Sequence, residues 1–140
     1  MVRYPLRVRY FETDQMGVAH HANYLVWFEA ARSEFCRVCG VDYGNLEKQG
    51  LFLPIVEAEC IYKSPARYDE DIIIEVSDIS IRRSILRIKY LVVRGQQELA
   101  SGSTTQVLVD SDRKPVSFPQ EIKERMLSLF PVQSTETSDD

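Results

Sequence analysis

The chain has 140 residues, enough to bury one core and too few for two domains of usual size. Its 17 Lys and Arg stand against 21 Asp and Glu, a net charge of −4 that lacks the basic balance of a nucleic-acid binder. No run approaches the roughly 20 apolar residues of a membrane span, the N-terminus has no apolar signal stretch, and three cysteines, an odd number, argue against a disulfide framework, so the expected compartment is the cytoplasm.

Leu6, Val8 and Tyr10 alternate with Arg7 and Arg9, which predicts a half-buried strand. A polar segment, 12–21, follows and holds Asp14 and Gly17. The period then changes. Tyr24, Trp27, Phe28, Ala31, Phe35 and Val38 recur at helical spacing, with Asn23 as the expected N-cap and Gly40 where a left-handed glycine would end the helix. Residues 42–49 predict a short second helix, closed by Gly50.

The rest reads mostly as strands. Val56, Ala58, Cys60 and Tyr62 alternate with Glu57, Glu59 and Ile61. Residues 72–76 are nearly all β-branched, as in a central strand, and Leu86, Ile88, Tyr90 and Val92 alternate again. A long strand over 99–110 carries small residues in its first half, with turns at 95–96 and 110–114. Pro119 suits the first turn of a last helix bearing Ile122, Met126 and Leu129. Residues 1–132 are expected to form one domain, and the acidic tail 133–140 to be disordered. One long apolar helix and a run of hairpins make an α+β layer with an antiparallel sheet, whose edges self-association would cover.

Asp14 lies between a strand and the long helix. The helix N-terminus offers unpaired N–H groups that can polarise a carbonyl, and a carboxylate beside them can attack it or activate water. An Asp in such a loop is also a common turn or cap residue. His20 and His21 are adjacent and lack the spacing of a metal site, so a capping, orienting or core role fits them better. Cys36 and Cys39 fall at the end of the helix, where the redox version of C-x-x-C does not sit, and read as small buried residues. Glu29 and Glu34 are alternative helical acids, or partners in local ion pairs. Arg82, Arg83 and Ser84 stand in a turn that can clamp a phosphate or simply be solvated. Nucleotide-binding glycine loops and a G-x-S-x-G elbow are absent from the sequence.

The stretch Val8-Arg-Tyr10-Phe-Glu-Thr-Asp14-Gln-Met-Gly17-Val-Ala-His-His21-Ala-Asn-Tyr24-Leu-Val-Trp-Phe28-Glu29-Ala-Ala-Arg32 resembles the signature of the hotdog-fold acyl-CoA thioesterases. It is most similar to the 4-hydroxybenzoyl-CoA thioesterase family, including its Tol-Pal-associated branch, and weaker similarity runs through all but the tail. The resemblance implies a hotdog fold, a long central helix wrapped by an antiparallel sheet of about five strands. It implies hydrolysis of an acyl-CoA thioester to free acid and coenzyme A, without metal or redox cofactor. Asp14 would be the catalytic carboxylate, with His21 and Tyr10 beside the thioester and the His21 N–H as oxyanion donor. Gly17 would let the loop approach the substrate, and Arg82, Arg83 and Ser84 would contact the phosphates of coenzyme A. The family also implies homodimers or homotetramers with sites at the dimer interface. Gln15 and Met16 replace the small residues common after the catalytic Asp, and another hotdog branch carries its acid on the helix, where Glu29 and Glu34 stand. The alternatives are an acyl carrier protein thioesterase and a non-catalytic acyl-CoA-binding protein.

Overall fold

The computed structural model describes residues 1–41 and 43–130. In chain order the elements are β1 (Val2–Arg7), a 3₁₀ turn (Tyr10–Glu12), α1 (Asn23–Val38), α2 (Tyr43–Lys48), β2 (Ile55–Tyr62), β3 (Asp71–Arg82), β4 (Ile85–Arg94), β5 (Gln97–Val107) and α3 (Gln120–Leu127). The strands form one antiparallel sheet in the order β1-β3-β4-β5-β2, so β1 and β2 are its edges.

α1 buries Tyr24, Trp27, Phe28, Ala31, Phe35 and Cys36, which are the residues whose 3.6-residue spacing marks an apolar face. Facing them are the inward residues of the central strands, among them Ile72, Ile74, Leu86, Ile88, Tyr90 and Val92. Val38, expected on that face, is half exposed in the last turn. Gly40 does take the left-handed conformation, at φ +74°, and Met126 of α3 is buried as expected.

Three local expectations are corrected. The first strand is Val2–Arg7 rather than 6–10, because the Glu12 carboxylate accepts the Arg9 N–H and turns the chain before Tyr10. The N-cap of α1 is Ala22 and has no side-chain cap, since the Asn23 amide donates instead to the Glu12 carbonyl at 2.9 Å. β2 is exposed on both faces along most of its length, because alternation tells which face points inward and not whether anything covers it. The expectation of a disordered tail lies outside the described residues.

Gly102 explains the small residues in β5. Phe28 stacks on Tyr90 with centroids 4.4 Å apart, and Gly102 is the register partner of Tyr90 in β5. A Cβ at Gly102 would lie 2.4 Å from Phe28 Cε2 and 2.7 Å from the Glu59 carbonyl. The helix can approach the sheet this closely only over glycine. Gly102→Ala is therefore expected to destabilise the fold by about 1–3 kcal/mol through overpacking. Urea denaturation measures this, and an unchanged midpoint would contradict the packing described.

Candidate active site

The segment between β1 and α1 is held by a buried carboxylate. Glu12 is 1% exposed. It accepts the Arg9 N–H at 2.8 Å, the Arg9 guanidinium at 3.1 Å and the Trp27 indole N–H at 2.9 Å. Its backbone carbonyl accepts the His20 N–H at 2.8 Å as well as the Asn23 amide. One residue thus fastens both ends of the loop to the start of α1. Sequence reasoning missed it, and the Arg9-x-x-Glu12 spacing was the only signal.

Burial pushes the Glu12 carboxyl up, but the hydrogen bonds from Arg9 and Trp27 outweigh it and hold the group below its ordinary value. A lowered folded pKa contributes stability above the unfolded pKa that is lost as pH falls through the folded value. The melting temperature is therefore expected to fall on acidification from the ordinary glutamate range downward. Glu12→Gln should flatten that acid limb as well as lower the melting temperature at neutral pH. An identical pH slope in the variant would contradict the assignment.

Asp14 lies in the loop so fastened, and it is exposed. Its Oδ1 accepts the backbone N–H groups of Met16 at 2.8 Å and Val18 at 3.3 Å. Gly17 closes the turn at φ +77°, donating to the Asp14 carbonyl and accepting from the Tyr68 N–H. Oδ2 has no hydrogen-bond partner among the described residues. One oxygen fixes the carboxylate in the turn and the other stays available, so the turn role does not use up the group.

The helix start lies at the other end of the loop. His20 and His21 stack with centroids 4.3 Å apart, and His20 Nδ1 accepts the Ala22 N–H at 3.2 Å. The Asn23 and Tyr24 N–H groups bond back to the carbonyls of His20 and His21. The His21 N–H meets no acceptor among the described residues. The His21 carbonyl accepts the Tyr62 hydroxyl at 3.0 Å, which ties the helix start to the end of β2. A small cavity of about 240 Å³ opens there, lined by Ala19, His21, Tyr24, Tyr62 and Ser64 among others.

The other candidates are placed differently. Tyr10 is 76% exposed on the 3₁₀ turn, and its ring packs edge-on against Tyr68. Arg82, Arg83 and Ser84 sit at the β3–β4 turn, where the carbonyls of Arg83 and Ser84 accept from Phe118 and Leu108. β3 starts beside the Asp14 loop and runs twelve residues to that turn, roughly 36 Å at about 3.3 Å per residue. One chain therefore does not bring Asp14 and these arginines together. Glu34 is paired with Arg37 at 2.6 Å, and that hydrogen bond holds its carboxyl below the usual range. Cys36 and Cys39 are buried and form no disulfide, and burial pushes the Cys39 thiol up, which fits packing and not redox chemistry. Among the described residues no three His, Cys, Asp or Glu side chains converge as for a metal, and no helix is long and apolar enough to cross a membrane.

The sequence profile of the thioesterase-like superfamily matches residues 8–126. The chain belongs to this superfamily. It is a thioesterase by class, its five-stranded antiparallel sheet around a central helix is the hotdog fold, and the match does not single out the Tol-Pal-associated branch. The acyl-CoA thioesterase YbgC of Haemophilus influenzae is 30% identical over 122 residues, covering 86% of this chain and 90% of that one. Among solved structures, the hypothetical protein AQ1494 of Aquifex aeolicus superposes with a TM-score of 0.81 at 31% identity, covering 90% and 99% of the two chains. The DHNA-CoA thioesterase of Staphylococcus aureus superposes with a TM-score of 0.79 at 29% identity, covering 91% and 89%.

Proposed function

We propose that this thioesterase hydrolyses acyl-CoA thioesters to a free acid and coenzyme A, with Asp14 as the catalytic carboxylate. The observation that carries the reading is the state of Asp14. Oδ1 is fixed by two backbone N–H groups while Oδ2 is uncommitted, and the same loop ends on a helix start whose His21 N–H is unused. The His21 N–H and the positive end of α1 stabilise the oxyanion as charge develops on the thioester oxygen. Asp14 then acts by one of two balanced routes. Its Oδ2 attacks the carbonyl carbon, expels the coenzyme A thiolate and leaves a mixed anhydride for water to open, or it takes a proton from the attacking water. His21 and Tyr10 flank the reacting group, and Gly17 leaves room for it.

A second copy completes this site. β2 is an edge strand whose Ile55, Val56, Ile61 and Tyr62 are between 43% and 61% exposed, a surface that pairing with another chain would bury. Its Tyr62 end meets the Asp14 loop, and its Ile55 end lies level with the β3–β4 turn, through Ile55 with Gln106 and Val107 with Ile85. Antiparallel pairing of two β2 strands about a twofold axis sets the Ile55 end of one chain beside the Tyr62 end of the other. Arg82, Arg83 and Ser84 of one copy then serve the coenzyme A phosphates at Asp14 of the partner subunit, in a homodimer or a dimer of dimers.

Free-thiol release from acetyl-, hexanoyl-, palmitoyl-, benzoyl- and 4-hydroxybenzoyl-CoA tests the reading. Release above the protein's own thiol signal, with rates that rank the acyl groups, is the expected result. No release from any of them, with release from acyl carrier protein thioesters, would move the substrate to the carrier. Binding of acyl-CoA without turnover of either would make the chain a binder.

A further inference from the structure

A second, larger cavity of about 920 Å³ opens between α1, α2 and the Ile55 end of β2. Part of its wall is apolar, from Phe52, Leu53, Pro54 and Ile55. Arg32 of α1 also lines it, although that residue is only 5% exposed. Its Nη1 donates to the Tyr90 hydroxyl at 3.0 Å, and that hydroxyl in turn meets Thr104 Oγ1 at 2.7 Å. No described carboxylate forms an ion pair with it. Its Nε–H, the Tyr43 hydroxyl and Gln106 Oε1 are buried on the same cavity and none makes a hydrogen bond of ordinary length and angle, although Tyr43 lies close enough to Arg32 and to Gln106 to interact with both.

Buried charges are ordinarily paired, and buried donors ordinarily bonded. A guanidinium with no counter-charge among the described residues and an N–H without a well-formed hydrogen bond, on the wall of a partly apolar cavity, is a receptor for an anion that arrives on an apolar stem. We propose that Arg32 and Tyr43 bind a carboxylate at the far end of the acyl group, so that the enzyme favours monothioesters of α,ω-dicarboxylic acids. This rests on the acyl-CoA reading above, in which β2 pairing places the cavity beside the Asp14 loop of the partner subunit. The carboxylate accepts the Arg32 Nε–H and the Tyr43 O–H, a charge-assisted pair. The methylene chain lies along Phe52, Leu53 and Ile55. Gln106, whose amide donates to the Leu53 carbonyl at 2.8 Å, keeps Oε1 for a water beside the carboxylate. Glu29, Glu47 and Asp110 also line the cavity, with Arg113 among them. Glu29 and Glu47 are exposed and hence screened by solvent, and Asp110 Oδ1 is taken by the N–H groups of Asp112 and Lys114.

The test compares adipyl-CoA with hexanoyl-CoA, and glutaryl-CoA with pentanoyl-CoA, by free-thiol release. The wild type is expected to favour the ω-carboxyl member of each pair by about tenfold or more in kcat/KM, the worth of one charge-assisted contact. Arg32→Gln and, separately, Tyr43→Phe are expected to bring that ratio down toward one. The Tyr43 variant removes a single hydroxyl and keeps the test open if the buried arginine is needed for folding. Calorimetric binding of adipate against hexanoate to the unaltered protein reads the subsite without turnover. Hydrolysis of hexanoyl-CoA with no preference for adipyl-CoA would overturn the inference and leave the thioesterase reading standing. Arg32-dependent adipate binding with no turnover of any thioester would do the reverse.

Discussion

Asp14→Asn is expected to lower kcat on the best acyl-CoA by about a thousandfold or more, close to 4 kcal/mol of barrier, without unfolding the protein. The two effects separate because the proposed function gives the carboxylate a second job besides the turn. Asn keeps an Oδ1 that can accept the Met16 and Val18 N–H groups, so the turn persists. It loses the anionic oxygen that, in the proposed reaction, attacks the carbonyl or takes the proton from water. Because the proposed role is on the reacting atoms, kcat should fall far more than KM rises. Initial rates of thiol release, with a melting curve for each protein, check both halves. Turnover within a few-fold of wild type would remove Asp14 from the chemistry and shift attention to Glu29, the helical acid that has no ion-pair partner among the described residues.

Ala58→Lys is expected to have the second largest effect on turnover. Ala58 lies mid-way along β2 on an exposed edge, so a single chain has room for the longer side chain. Lysine on an edge strand opposes pairing with another edge, and at a twofold axis it opposes its own copy. The protein should sediment as a smaller species, keep most of its melting temperature, and lose turnover by about a hundredfold, because Arg82, Arg83 and Ser84 stand at the far end of β3, a strand roughly 36 Å long, from the Asp14 loop of their own chain. A monomer with full activity would show that one chain makes the whole site.

Most of the fold was legible because its signals are periodic. The spacing of Trp27, Phe28, Ala31 and Phe35 described the buried face of α1, and the alternation through 86–92 described β4. The small residues near Gly102 were visible as composition, but their reason, the Phe28 ring pressed against the sheet, is a tertiary contact. Glu12 escaped notice because a buried carboxylate looks like a surface one until its three donors are in place. Of the candidate site, Asp14, Gly17 and His21 were legible together because they share one loop. Tyr10 joined them by resemblance, and in the structure it stands exposed on the 3₁₀ turn just before that loop. Arg82, Arg83 and Ser84 joined it by resemblance, and a resemblance along one chain does not say which copy supplies which residue. The polar set of Arg32, Tyr43 and Gln106 lies on three separate elements, with no periodicity to draw them together.

Mixing two inactive proteins tests most directly whether one site is built from two copies. One carries Asp14→Asn and the other carries Arg82→Ala with Arg83→Ala, each assayed alone and then after subunit exchange at equal concentration. The account predicts that thiol release from hexanoyl-CoA at low substrate reappears on mixing, because each hybrid dimer holds one site with Asp14 from one chain and both arginines from the other. Activity of the mixture that never exceeds the average of the two parents, although hybrids form, would contradict it.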